Sequence, residues 1–154
     1  MNYWLLKSEP ATFSIDHLAA LPKKTTAWDG VRNYQARNML RDSIKKGDFA
    51  FFYHSSCDEP GIAGIVSVVK EGYPDETAFD SKHHHYDAGS RPGDPRWYVV
   101  DVKLHRKFKH VITLDSLRKH AQGALEKFIL LRPGNRLSVM PVTKNEWDFV
   151  LALE

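Results

Sequence analysis

Three short runs in the first half of the chain have the apolar pattern of buried strands. Residues 3–7 and 49–53 are brief, aromatic and bounded by polar residues. Residues 61–69 are apolar on both faces in places, which indicates a central strand. Gly61 and Gly64 favour a bend there or the close approach of another backbone.

Two segments between these strands have helical spacing instead. Ser14 is a typical N-cap for a short helix that Pro22 ends. Apolar positions recur every three to four residues from about residue 33 to residue 44, and Gly47 follows as a C-terminal stop signal. We therefore predict a helix at 14–21 and a second one that begins near Asn33.

The second half of the chain begins with a polar segment. Residues 73–95 hold several prolines and aspartates and little apolar matter, which predicts a long ordered loop. The elements predicted after it are a strand at 96–108 with a basic end, short helices from Thr113 to Leu117 and from 123 to 129, a strand at 137–142 and a final helix opened by a capping box at 143–146.

Composition narrows the class of protein. With 154 residues, of which 42% are hydrophobic, the chain fits one domain at 1–154 with a real core. A formal charge of +3 permits a nucleic-acid partner without requiring one. The single cysteine, Cys57, excludes an internal disulfide and favours a reducing, cytoplasmic location. No apolar run approaches the roughly 20 residues of a membrane span, so we expect no membrane partner, and we expect a monomer.

Residues 28–38 concentrate groups that suit recognition of a nucleobase on a phosphate backbone. They form three pairs, which are stacking faces (Trp28, Tyr34), donors and acceptors for a base edge (Asn33, Gln35) and forks for phosphate oxygens (Arg32, Arg37). A tryptophan before a loop is also common as a core residue, and polar residues that open a helix commonly cap it. Both interpretations stay open on this stretch alone.

Common catalytic and cofactor motifs are absent from the sequence: there is no G-x-S-x-G, G-x-x-x-x-G-K, H-E-x-x-H or dinucleotide fingerprint. His54 and Cys57 are a candidate base and thiol, but pocket lining is the commoner role for residues so placed. The histidines at 83–85 suggest a metal, but adjacent side chains diverge and zinc needs a spaced fourth ligand. We predict no catalytic residue, no metal and no cofactor.

Several motifs carry a resemblance to a known family. They are YWLLKSEP at 3–10, WDGVRNYQARN at 28–38, GD at 47–48, FYHS at 52–55, GIAG at 61–64, DPRW at 94–97 and LSVMPV at 137–142. On these motifs the chain resembles the EVE domain family (thymocyte nuclear protein-like) of the PUA-like superfamily, and more distantly YTH domains. The match runs nearly end to end, and its first two motifs are long and specific.

The resemblance implies an α+β fold, a PUA-like pseudo-barrel of mixed, mostly antiparallel strands flanked by helices. It also implies a non-catalytic reader of DNA or RNA that takes a flipped modified base, such as methylated or hydroxymethylated cytosine, into an aromatic pocket. The pocket residues so assigned are Lys7 and Ser8 (floor), Trp28 (stacking wall), Asn33 and Tyr34 (rim), Tyr53, His54 and Ser55 (opposite side), and Val31, with Arg32, Arg37 and Arg132 on flanking phosphates.

Two other functions stay open from the sequence. The same pocket suits a free nucleoside or small ligand, bound only or acted on by His54 with Cys57 or Glu9. The chain also fits an interaction scaffold with a vestigial pocket. The sequence sets neither the modified base nor the choice between DNA and RNA, since groups that read a ribose hydroxyl are too common to decide it.

Overall fold

The computed structural model describes residues 1–154, which are built around one six-stranded sheet. Its strands are β1 (Tyr3–Ser8), β2 (Thr25–Ala27), β3 (Phe49–His54), β4 (Gly61–Pro74), β5 (Tyr98–Thr113) and β6 (Val139–Val142). Their order across the sheet is β2-β5-β4-β3-β1-β6. Only β1 and β3 run parallel, because a crossover that contains helices joins them.

The helices are short and begin at capping residues. They are α1 (Ile15–Ala20), α2 (Tyr34–Asn38, continued by a π-helical turn at Met39–Ser43), α3 (Leu114–Arg118) and α4 (Lys144–Ala152). The capping box predicted at the start of α4 is confirmed, since Thr143 and Glu146 exchange side-chain to backbone hydrogen bonds. Ser14 caps α1 as predicted. None of these helices has the length and apolar character that a membrane span requires.

The core lies on both faces of the sheet because successive strand residues point to opposite sides. On one face Leu6 and Phe52 pack with residues of α1 and α2. On the other face Leu5 and Phe51 pack with α3 and α4, and the Trp147 ring lies 3.9 Å from that of Phe51. The face beneath α1 and α2 is the one that carries the 28–38 motif.

The predicted α+β class is confirmed, but the predicted barrel closure is wrong. The sheet is open, with β2 and β6 at its two edges and unpaired with each other. These edge strands have three and four residues, and each pairs with one neighbour, β2 with β5 and β6 with β1. The close backbone approach predicted at the two glycines is confirmed, because a Cβ on Gly61 or Gly64 would lie within 2.4 Å of a carbonyl oxygen of β5.

Three predicted elements differ in extent or type. β4 and β5 pair as far as Pro74 and Tyr98, across several bulges, so the connecting loop is shifted by two residues to 75–97 and keeps its predicted length. The predicted helix at 123–129 is wrong. That segment folds as consecutive tight turns, such as Glu126 N–H to Gly123 C=O, which bury Phe128 without a helical ladder.

Candidate nucleic-acid interface

A cleft of about 440 Å³ opens where the end of β1, the loop after β2 and the histidine segment 83–85 meet. Its volume lies in the range of ligand sites, about 300–1,000 Å³. The lining residues are Lys7, Ser8, Thr12, Phe13, residues 26–32, residues 83–85 and Ser138. Four of the nine residues assigned to a base pocket from the sequence meet here, namely Lys7, Ser8, Trp28 and Val31.

Trp28 belongs to both the core and the cleft. Its backbone N–H donates to the Val100 carbonyl at 2.8 Å, which extends the edge of the sheet by one residue. Its indole meets the Phe52 ring edge-on, with ring centres 5.3 Å apart, and the Phe13 ring lies 6.4 Å away. The residue is only 6% exposed. The core role that the sequence left open is therefore confirmed, and the recognition role of Trp28 stays a prediction.

The buried carboxylate of Asp75 fixes the loop that carries Trp28. One oxygen accepts hydrogen bonds from Gly30 N–H and Arg32 Nη1, both at 3.0 Å, and the other accepts from Thr77. Burial raises the pKa of Asp75, but the hydrogen bonds from Thr77, Gly30 and Arg32 outweigh it and hold that pKa below its ordinary value. Arg32 also donates to the His85 carbonyl at 2.7 Å, so Asp75 joins both walls of the cleft.

Two charged groups of the cleft have no hydrogen-bond or ion-pair partner within the protein. The Lys7 ammonium is half-buried, lies 5.8 Å from the centre of the Tyr53 ring and makes no hydrogen bond or ion pair, and burial lowers its pKa. The Asp29 carboxylate is exposed and likewise accepts no hydrogen bond from the chain. The Ser8 hydroxyl, by contrast, donates to the Phe13 carbonyl at 2.6 Å. The groups available to a ligand are therefore a cation, an anion and a largely buried indole.

Asn33 and Tyr34 lie outside the cleft, at the start of α2. The Asn33 side-chain oxygen accepts from Ala36 N–H at 3.0 Å, so this residue caps the helix. Tyr34 is exposed and stacks on Trp97, with ring centres 4.9 Å apart. Their roles on the rim of a base pocket stay predictions.

Tyr53, His54 and Ser55 also lie away from the cleft lining. Tyr53 packs in the opposite core, and burial raises its pKa to about 12. The Nε2 of His54 accepts the Ile15 N–H at 3.1 Å, and burial lowers the pKa of that imidazole. Ser55 donates its backbone N–H to the Ser8 carbonyl at 2.9 Å. These contacts hold the end of β3 against β1 and α1, and a role in base contact stays a prediction for all three.

The three predicted phosphate ligands differ in availability. Arg32 is held by Asp75 and the His85 carbonyl. Arg37 donates to the Arg96 carbonyl at 2.7 Å and to Asn38 at 2.8 Å. Arg132 is exposed and makes no side-chain hydrogen bond or ion pair. Only Arg132 therefore presents a guanidinium that the protein leaves unpaired.

The histidine segment forms a wall of the cleft that sequence reasoning did not assign. The imidazole nitrogens of His83, His84 and His85 lie within 4.8 Å of one another. The Nδ1 of His83 accepts the His85 N–H at 3.0 Å, and the Nδ1 of His85 lies 3.1 Å from the Thr77 hydroxyl. The segment supplies three imidazoles, whereas a tetrahedral zinc site takes four ligands. The absence of a metal stays a prediction.

Asp75 and Ser138 were also missed. Ser138 reaches the cleft because its carbonyl accepts the Lys7 N–H at 2.9 Å, beside the β1–β6 pairing. Asp75 follows Pro74 and caps a short 3-10 turn, which is a visible local signal. That signal does not reveal the contact with Gly30, which is 45 residues away.

Comparison with known proteins identifies the family. The EVE domain matches residues 2–153. Thymocyte nuclear protein 1 of Gallus gallus is 51% identical over 166 residues, covering 99% of this chain and 68% of the relative. A crystal structure of human THYN1 protein in complex with 5-methylcytosine containing DNA has a TM-score of 0.94 at 48% identity, covering 99% of this chain and 97% of that one. A Pseudomonas putida protein has a TM-score of 0.92 at 48% identity, covering 98% of both chains. The chain belongs to the EVE domain family.

Proposed function

We propose that this chain binds DNA that carries a modified cytosine and holds the modified base in the cleft beside Trp28. One observation carries the proposal: the cleft presents an indole together with an unpaired ammonium from Lys7 and an unpaired carboxylate from Asp29. The human relative's complex with 5-methylcytosine containing DNA supports the same class of partner. Recognition without a reaction is the proposed activity.

The two unpaired charges match the polar edge of cytosine. Its N4 amine is a hydrogen-bond donor, and carboxylates accept from it in known readout, while its O2 and N3 are acceptors. Asp29 therefore accepts from N4, and Lys7 donates to O2 or N3. Thymine carries an acceptor at the same ring position, so the Asp29 carboxylate faces another oxygen and rejects it. A good pairing of this kind discriminates by about 1–3 kcal/mol.

Stacking and burial add affinity with less selectivity. A base that leaves its stack regains roughly 1–3 kcal/mol on an aromatic side chain. A methyl group buried in the cleft contributes only about 0.8 kcal/mol. Discrimination between methylated and plain cytosine therefore depends on how closely the cleft wall fits the methyl group, and Val31 lies beside Trp28 in that wall.

Fluorescence anisotropy with short single-stranded oligomers tests the proposal. The oligomers are matched DNA and RNA strands that carry one cytosine, 5-methylcytosine, 5-hydroxymethylcytosine, thymine or methyladenine. We expect the tightest binding to a modified-cytosine DNA and rejection of thymine by roughly tenfold, in line with one lost base contact. Asp29→Asn is the informative variant, because its amide can donate to thymine O4 and should remove that rejection. Equal binding of 5-methylcytosine and thymine by the native chain contradicts the proposal.

Base flipping is tested separately with duplex DNA. A 2-aminopurine placed beside the modified base brightens when its stacking neighbour leaves the helix. We expect brightening with the native chain that saturates at the same concentration as binding. Saturated binding with unchanged 2-aminopurine fluorescence would mean that the chain reads the base within the duplex.

A nucleoside-binding or catalytic function is the competing proposal. It draws little support from His54, because the Nε2 lone pair of that imidazole already accepts the Ile15 N–H. Titration of free 5-methyldeoxycytidine, followed by Trp fluorescence, distinguishes the cases. Nucleoside affinity equal to that of the oligomer, together with indifference to salt, would favour a small-ligand site.

A further inference from the structure

The turn at Arg132–Arg136, here called the arginine turn, is a rigid feature beside the cleft. Asn135 N–H donates to the Arg132 carbonyl at 3.2 Å, and Gly134 has φ +75°. Pro133 followed by a positive-φ glycine is the signature of a type II turn, so both arginines project from a fixed backbone. No other atom lies within 4 Å of the position of a Cβ on Gly134, so the turn is open to a large ligand.

The arginines of this turn are unpaired, unlike several basic groups elsewhere. Arg132 and Arg136 are both exposed and make no side-chain hydrogen bond or ion pair. On β5 the most basic stretch of the chain is partly neutralised, since Arg106 pairs with Glu154 and Lys107 pairs with Asp16. Free guanidinium forks are the groups best suited to phosphate oxygens.

Asn135 adds an unsatisfied donor at the same place. Its side-chain oxygen accepts the Leu137 N–H at 3.1 Å, which orients the amide. Its Nδ2 is shielded from solvent and has no acceptor within the protein. Buried donors without acceptors are uncommon in folded proteins, and an incoming oxygen would satisfy this one after a small shift of its surroundings.

The arginine turn is continuous with the cleft. A depression of about 490 Å³ on one side of the turn shares Lys7 with the cleft. A second depression of about 390 Å³ lies on the other side and is bounded by Asn33 and Gln35 of the α2 start. A strand whose base occupies the cleft therefore meets unpaired positive charge at Lys7 and then at the turn.

We propose that the nucleic-acid strand leaves the cleft across the arginine turn, where Arg132 and Arg136 bind phosphates that flank the bound base and Asn135 donates to a phosphate or sugar oxygen. This inference rests on the proposed function and adds the direction of the strand. It assigns the backbone to the side of Arg136 and not to the side of Arg37, whose guanidinium the protein already holds.

The salt dependence of oligomer binding tests the inference. Anisotropy titrations with a single-stranded 5-methylcytosine DNA are run at several salt concentrations for the native chain and for Arg132→Gln/Arg136→Gln. Log affinity falls with log salt, and each phosphate contact on a single strand contributes about 0.7 to the magnitude of that slope. The double variant should therefore reduce the magnitude of the slope by roughly 1.4. Lys103→Gln/Lys109→Gln is the matched control, because it removes two exposed, unpaired positive charges from β5.

The outcomes separate this inference from the proposed function. We expect the arginine variant to lose slope and affinity while it still prefers 5-methylcytosine to thymine and still binds free 5-methyldeoxycytidine as the native chain does. An unchanged slope in the arginine variant, or an equal loss in the lysine control, overturns the inference while base selectivity stands. Absence of oligomer binding by the native chain overturns the proposed function and the inference with it.

Discussion

Replacement of Asp75 tests whether one buried carboxylate organises the cleft. Its two oxygens accept from Gly30 N–H, from Arg32 and from Thr77, and so join the Trp28 loop to the segment that leads to His85. Asp75→Ala removes all of these acceptors at once. Asp75→Asn keeps the shape but turns an amide donor toward groups that are themselves donors.

The cost of these changes follows from burial. The carboxyl side chain is 1% exposed, and breaking such a buried ion pair costs about 3–5 kcal/mol. Arg32 is 26% exposed and keeps its bond to the His85 carbonyl, so solvent screens part of that loss. We therefore expect Asp75→Ala to lower the free energy of unfolding by about 3 kcal/mol, near the low end of the range.

Urea unfolding and oligomer binding measured together check this prediction. Because the pKa of Asp75 is held below its ordinary value, its contribution is present above about pH 4 and is lost as the pH falls through the folded pKa. The difference in the free energy of unfolding between the native chain and Asp75→Asn should therefore become smaller below pH 4. An alanine variant with native stability at pH 7 and native affinity would refute the assigned role.

The remaining predictions concern three further residues of this region. Trp28→Ala should lower the free energy of unfolding by about 3–5 kcal/mol in urea titrations, because the ring is buried; Trp28→Phe should fold and lose affinity, and full affinity in that variant would contradict a stacking role. Gly30→Ala should increase amide exchange in the segment at His85, since its Cβ would lie 2.6 Å from that imidazole and φ is +77°; unchanged exchange would contradict the packing. Burial lowers the pKa of His54 in the folded chain, so below about pH 6.5 the unfolded chain binds the proton more tightly and the folded chain loses stability. Urea titrations should thus show stability falling from pH 7 to pH 5, and falling less in His54→Gln; equal losses in the two chains would contradict the assignment.

The local features of the fold could be predicted because adjacent residues determine them. Ser14 and Thr143 sit just before helical patterns with capping partners three residues later. Residues 3–7 and 49–53 are short apolar runs without alternation, and they are buried continuously because both faces of the sheet are covered. The tight turns near Gly123 were mistaken for a helix because Leu125 and Phe128 are spaced by three, as helical core residues are.

The composition of the cleft could be predicted only in part. Tyr53 and His54 follow each other on a strand, so their side chains point to opposite faces: Tyr53 packs into the core with α3 and α4, and His54 accepts the Ile15 N–H of α1. Asp75 and Ser138 reach the site through the pairing of strands that are far apart in the chain. Local sequence patterns do not reveal which strands pair. Arg32 looked available for phosphate, but its partner is a carboxylate 43 residues later. Contacts between residues far apart in the chain therefore determine which side chains line the cleft, and local sequence patterns do not reveal those contacts.

The central claim, that a modified cytosine enters the cleft beside Trp28, is tested most directly by nuclear magnetic resonance. A single-stranded oligomer that carries one 5-methylcytosine with a ¹³C-labelled methyl group is titrated with the protein to saturation. The account predicts intermolecular nuclear Overhauser effects from that methyl group to the indole protons of Trp28 and the methyl groups of Val31. Effects to surface residues such as Tyr34 alone, at saturated binding, would contradict it.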